Sequence, residues 1–191
     1  MSNASSQIEH AEIGLARRLE PARDHPAVRA AEPLSKLADQ PPMLALSSAV
    51  LACGLLLRRP RVAEAGARML ASVALATAGK TLVKSLVRRT RPNVVLDQDR
   101  YDADLGGSGE KEEQSFPSGH TADAVAAARA LARACPRTRF AAYGLAGAVG
   151  VLQPLRAKHY PSDVAAGAAI AVVAEAAVDR LARAAISVSA R

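Results

Sequence analysis

The chain has 191 residues, half of them apolar, with only two Phe, three Tyr and no Trp, and a formal charge of +7 at pH 7. That length buries one core. The scarcity of aromatic and alternating β-branched runs excludes a sheet as the main architecture, and with it an aromatic stacking platform for nucleic acid.

The apolar content is mostly Ala, Val and Leu, which suits helices packed closely through small side chains. The expected fold class is therefore all-α: a membrane-associated bundle of about five core helices behind a charged N-terminal segment. With nucleic acid set aside, the basic charge points to anionic lipid or a phosphate-bearing substrate. Cys53 and Cys135 read as small buried apolar residues rather than a disulfide.

Residues 1–42 are charge-rich and carry Pro21, Pro26, Pro33, Pro41 and Pro42. Ile8, Leu15 and Leu19 make a thin apolar stripe, which fits a short amphipathic helix on a surface or a loosely ordered tail. No basic stretch followed by an apolar run marks a cleavable signal. Helical segments are expected at 43–57, 62–88, 118–135, 138–156 and 161–186, making 43–186 the working domain and 187–191 a tail. Between the second and third lies a loop, 89–117. Its 97–113 portion holds seven acids and two bases and reads as solvated.

The strictly apolar runs are about 15 residues, short of the ~20 that span a hydrocarbon core. Asp123, Arg129 and Arg133 need shielding inside any bundle. The segments 43–57 and 138–156, however, lack the charged face of a soluble helix. The basic turns Arg58-Arg59-Pro60-Arg61 and Pro136-Arg137-Thr138-Arg139 fall on one side of the bundle, with Arg180, Arg183 and Arg191. The expectation is a multi-pass protein of the inner or plasma membrane, in which the positive-inside rule makes the basic side cytoplasmic and the opposite, motif-bearing side extracytoplasmic. Five spans also put the charged N-terminus outside, which fits that segment poorly.

Three clusters carry chemistry, all at helix ends on that opposite side. Lys84 and Arg91 stand seven residues apart, two turns of a continuing helix, and Pro92 opposes continuation. Two cations projecting together suit a phosphate, although a basic stop at a membrane boundary has the same composition. Next, Phe116-Pro117-Ser118-Gly119-His120 places a natural N-cap, a glycine and a histidine where a helix aims its free N–H groups outward, a ready anion site. Read plainly, it is also an ordinary capped helix start. Finally, in His159-Tyr160-Pro161-Ser162-Asp163 the carboxylate stands four residues after the imidazole. A hydrogen bond from His159 to Asp163 fixes the tautomer and frees the other nitrogen for attack.

Lys84-x6-Arg91-Pro92, Pro117-Ser118-Gly119-His120 and His159-x3-Asp163, in that order, resemble the signature of the type 2 phosphatidic-acid phosphatase superfamily over roughly residues 43–180. The resemblance implies a helical bundle, no metal or other cofactor, and a phosphorylated lipid or isoprenoid diphosphate as substrate. It makes His159 the nucleophile, Asp163 its orienting partner and His120 the proton donor to the leaving group. Lys84, Arg91, Ser118 and Gly119 then hold the phosphoryl oxygens.

One departure from the pattern matters. The family's third motif usually carries Ser-Arg, the Arg six residues before the nucleophile; here Leu152 and Gln153 stand there. Arg156, three residues on and ~4.5 Å along the helix, is the expected replacement, with Lys158 a second candidate. Without one, the chain reads as a phospholipid-headgroup binder with impaired turnover. A vanadium-dependent haloperoxidase shares the constellation on larger soluble chains.

Overall fold

The structure, a computed structural model, describes residues 3–189. Its N-terminal segment is helical: α1 (Asn3–Leu19), α2 (Pro26–Ala30) and α3 (Glu32–Leu37). The bundle comprises α4 (Gln40–Leu56) and α5 (Pro60–Leu86), then, after an insert, α7 (Gly119–Ala134), α8 (Arg139–Leu155) and α9 (Pro161–Ser189). The insert holds β1 (Val87–Arg89), α6 (Pro92–Gln98) and β2 (Ala103–Leu105). Helices α5, α6 and α9 each begin on a proline, where the missing N–H has no intrahelical bond to lose.

The five long helices match the expected all-α class, with one local correction. Residues 87–89 leave α5 and pair antiparallel with 105–103, Val87 opposite Leu105 and Arg89 opposite Ala103. Charge across the ribbon contributes: Arg88 reaches Asp102 at 3.2 Å and Asp104 at 3.5 Å. The acidic insert is thereby folded back on the molecule. Arg23 and Arg17 also hold it through Asp97 and Asp99, both at 2.9 Å.

Helix α7 is the centre, packed against α4, α5, α8 and α9. Its Ala122, Ala126 and Ala130 are almost wholly buried. Such small side chains let neighbouring backbones approach, so the contacts gain dispersion energy across many atoms. At Gly167 the approach is closest for function: a Cβ there would stand 2.4 Å from the carbonyl oxygen of Ser118. This absence of a side chain brings the start of α9 against the start of α7.

The charges inside the bundle are paired. Lys80 bonds Asp123, which also accepts from Thr77 Oγ1 at 3.3 Å. Arg129 reaches Glu175 at 3.0 Å, Arg133 pairs with the same carboxylate, and Arg68 reaches Asp179 at 2.8 Å. Cys53 corrects an expectation: it is exposed on α4, while Cys135 is half-buried, and both are free thiols.

Among the described residues no helix is long and apolar enough to cross a membrane. Helices α4 and α8 have 17 residues each, about 25 Å of rise against a hydrocarbon core of about 30 Å. Their outer faces are nonetheless apolar: Leu55, Leu56, Phe140, Leu145 and Val151 are exposed, as is Val173 on α9.

Candidate active site

His159 stands in the short link between α8 and α9, and the link is shaped by how α8 ends. Ala157 takes a left-handed φ of 51°. Its N–H donates to the Pro154 carbonyl and that of Lys158 to the Gln153 carbonyl, both at 3.0 Å. This paired closure ends a helix sharply and usually employs glycine. The Ala157 carbonyl then accepts from Asn93 N at 2.9 Å, tying the link to α6.

The imidazole of His159 is 2 % exposed. Its Nδ1 donates to the Ser115 carbonyl at 2.7 Å and lies 3.8 Å from Asp163 Oδ2. The expected orienting hydrogen bond to Asp163 is thus made instead to a backbone carbonyl, because the 115–118 strand of chain passes closer than the first turn of α9. The consequence for the tautomer is the same: a carbonyl only accepts, so the proton sits on Nδ1 and the lone pair on Nε2. Burial, with Arg91 and Lys84 nearby, holds this histidine below its ordinary pKa against the opposing pull of Asp163.

Asp163 is fully buried and saturated with donors. It accepts from Ser115 Oγ at 2.6 Å, Arg89 Nη1 at 2.7 Å and Tyr160 N at 2.8 Å. Burial raises its pKa, but His159, Arg89 and Ser115 outweigh it, so the carboxyl stays below the usual range. Arg89 lies with its guanidinium 4.2 Å from the centre of the Tyr160 ring. Its Nη2 donates to Glu12 Oε2 at 2.8 Å. Glu12 in turn accepts from Ser162 N at 2.7 Å and Ser162 Oγ at 2.8 Å, capping the first turn of α9.

Ser118 is the N-cap of α7, accepting from Thr121 N at 3.4 Å, and its own N–H donates to the Asp163 carbonyl at 2.9 Å. A Cβ at Gly119 would stand 3.5 Å from Lys80 Nζ, so the space in front of this turn is bounded by a cation. His120 faces His159 with ring centres 6.3 Å apart, and its Nε2 lies 2.8 Å from Asp39 Oδ1. Burial pushes its pKa down to about 4; Asp39 opposes this, while His159, Arg91 and Arg156 add to it.

The cations converge without the helical face expected for them. Helix α5 stops at Leu86, and Arg91 sits in extended backbone beyond β1. Lys84 Nζ and Arg91 Nη2 nevertheless point at one atom, the Gln114 carbonyl oxygen, at 2.7 and 3.5 Å. The ribbon replaces the two turns of helix and brings Arg91 back. Burial, then the Arg91 charge, lowers Lys84 to about 8. Arg91 Nε is buried with no hydrogen-bond partner among the described residues.

Gln153, where the related motif has Arg, is fully buried and donates to Ser35 Oγ at 3.1 Å and the Val149 carbonyl at 2.9 Å. Arg156 is paired with Glu32 at 3.0 Å. Lys158 has no hydrogen bond or ion pair through its side chain among the described residues. Burial, then Arg91 and Arg156, lowers its pKa.

A family model described as the PAP2 superfamily matches residues 65–186. The chain belongs to the PAP2 superfamily. Two solved structures resemble it in fold. One is described as the first transmembrane PAP2-type phosphatidylglycerolphosphate phosphatase, from Bacillus subtilis: TM-score 0.67, 18% identity, covering 95% of this chain and 88% of that one. The other is LpxE from Aquifex aeolicus: TM-score 0.60, 21% identity, covering 87% of this chain and 93% of that one. None of the curated protein sequences compared with the chain matches it.

Within this PAP2 chain, Arg89, Glu12 and Asp39 had no signal in the motif pattern. Arg89 was hidden inside the run Arg88-Arg89-Thr90-Arg91, where composition alone does not separate one arginine from another. Glu12 and Asp39 lie in the N-terminal segment, outside the matched stretch.

Proposed function

We propose that this chain is a lipid phosphatase that hydrolyses a lipid phosphate or isoprenoid diphosphate through a phosphohistidine on His159. The observation that carries the reading is the pairing of a buried, Nδ1-protonated imidazole with neighbouring cations, Lys84 and Arg91, that have no carboxylate partner among the described residues. A phosphoryl group supplies the missing negative charge. In the first step the Nε2 lone pair attacks phosphorus, the bond from phosphorus to the leaving oxygen breaks, and protonated His120 gives that oxygen its proton. In the second, water attacks the phosphoryl group, neutral His120 takes its proton, and the phosphorus–nitrogen bond breaks.

Lys84 and Arg91 hold phosphoryl oxygens, as do the first N–H groups of α7 behind Ser118 and Gly119. Lys158 fits the part of the absent motif Arg better than Arg156, since Glu32 already neutralises Arg156. Asp163 acts from behind His159, countering the positive charge that the ring gains on attack. Membrane association is supported by the exposed apolar faces of α4, α8 and α9, and by a structural relative whose description is a transmembrane phosphatase.

The buried, uncharged Gln153 favours a second reading, a headgroup binder without turnover. Phosphate release separates the two. Detergent-purified protein, with chelator, is assayed on phosphatidate, phosphatidylglycerol phosphate and an isoprenoid diphosphate. His159→Ala, Lys158→Ala and Arg156→Ala are run alongside. Release that disappears in His159→Ala, and falls roughly 10²–10³-fold in Lys158→Ala but little in Arg156→Ala, is the expected result. Tight binding of these lipids by folded protein without any release would support the binder instead.

A further inference from the structure

Four of the site's neighbours come from the N-terminal segment: Glu12, Glu32, Ser35 and Asp39. All precede residue 65, where the match to the family model begins. Glu12 is the most deeply engaged of them. It is 8 % exposed and takes three bonds, one from Arg89 and two from Ser162, across 77 and 150 residues of sequence.

Two carboxylates, Glu12 and Asp163, stand at the N-terminus of α9 with Arg89 between them, one on each terminal nitrogen of its guanidinium. The fork geometry makes the two bonds interdependent. A planar guanidinium held at Nη2 by Glu12 has its Nη1 aimed at Asp163 Oδ1, and the Tyr160 ring under it removes the remaining rotational freedom. Asp163 and His159 are both hydrogen-bonded to Ser115, through its hydroxyl and carbonyl respectively. A displacement of Asp163 therefore reaches the imidazole through one residue.

We infer that Glu12 is a positioning residue of the catalytic centre, so that helix α1 is a working part of the site rather than a tail. It holds Arg89 against Asp163 and so fixes where His159 Nε2 points. This rests on the phosphohistidine reading for its effect on rate, though not for its effect on the ring. Misplacing a nucleophile by about 1 Å costs on the order of 10²-fold in rate. Glu12→Ala is therefore expected to lower kcat by roughly 10- to 100-fold with KM nearly unchanged, because no phosphate contact is removed. Glu12→Gln keeps an acceptor for Ser162 and loses the charge on Arg89, and should fall between.

The experiment combines kinetics with 15N NMR of the histidine side chains. Wild type, Glu12→Ala, Glu12→Gln and Arg17→Ala are compared, the last removing an exposed pair between the same helix and Asp99, just after α6. Expected are altered His159 shifts and reduced kcat in both Glu12 variants, at unchanged helix content, with Arg17→Ala like wild type. Unaltered His159 shifts and kcat in Glu12→Ala would overturn the proposal, and so would an equal loss in Arg17→Ala, which would make docking of α1 the whole effect. If Glu12→Ala does not fold, Glu12→Gln alone decides by the same two readouts. Altered shifts in a protein that releases no phosphate even as wild type would uphold the positioning role and refute the phosphatase reading.

Discussion

Asp39 Oδ1 lies 2.8 Å from His120 Nε2, joining the residue before α4 to the second residue of α7. The contact sets an acid against a histidine that burial drives down to about 4. The group proposed to give a proton to the leaving oxygen is thereby kept within reach of protonation. His159, Arg91 and Arg156 work the other way, and Asp39 opposes them at His120.

The sign of the pH dependence follows. In free enzyme His120 loses its proton as pH rises through about 4, and His159 must be neutral to attack. kcat/KM is therefore expected to peak in the acid range and decline towards neutrality. kcat should peak at higher pH, because a bound phosphate anion favours charged His120. Asp39→Asn should move the alkaline limb of kcat/KM to lower pH. Asp39 is half exposed, so the effect is modest, roughly threefold at pH 6, and shrinks with added salt. A limb that stays in place in the variant would remove Asp39 from the account.

Lys84 gives a second limb. Burial and Arg91 lower it to about 8, so its charge is lost as pH rises through that value. KM for a phosphate ester should climb above about pH 8. Lys84→Arg, whose guanidinium keeps its proton throughout, should flatten that climb even where kcat suffers. An unchanged rise in the variant would assign the limb to another group.

At Gly167 the two motif-bearing helices touch through backbone. Any Cβ would meet the Ser118 carbonyl oxygen at 2.4 Å, and neither partner is a flexible side-chain end. Gly167→Ala should part α9 from α7, lengthening the Ser118 N to Asp163 carbonyl bond of 2.9 Å. The expected cost is about 1–3 kcal/mol by chemical denaturation, with loss of most phosphate release. A variant of full stability and activity would show that the helices do not pack this way.

Ala157 carries the left-handed turn that ends α8, at φ 51°. Glycine tolerates that conformation without the crowding of a Cβ. Ala157→Gly should stabilise the fold by about 0.5–1 kcal/mol, raising Tm by roughly 1–4 °C, and leave kcat unaltered. A lower Tm would mean that relief of strain at this position is outweighed by chain entropy.

Much of this protein is local and was legible in chain order. Ala-rich apolar segments between Pro starts and basic turns dictate five long helices. Ser118 caps its helix because a serine oxygen satisfies an N–H that the helix cannot. The chemistry proposed for His120, His159 and the two cations rests on residue type and spacing. What one dimension does not contain is who meets whom. Lys84 and Arg91 converge although the helix between them ends, because a three-residue ribbon folds the chain back. His159 bonds the Ser115 carbonyl, and not the nearer-in-sequence Asp163, since a backbone group has no distinctive residue type to announce it. Glu12 and Asp39 sit in a charge-rich stretch whose solvated and buried acids look the same on paper. Only the packing of the N-terminal segment over the end of the bundle separates them, burying Glu12 beside Arg89 and bringing the half-exposed Asp39 to His120.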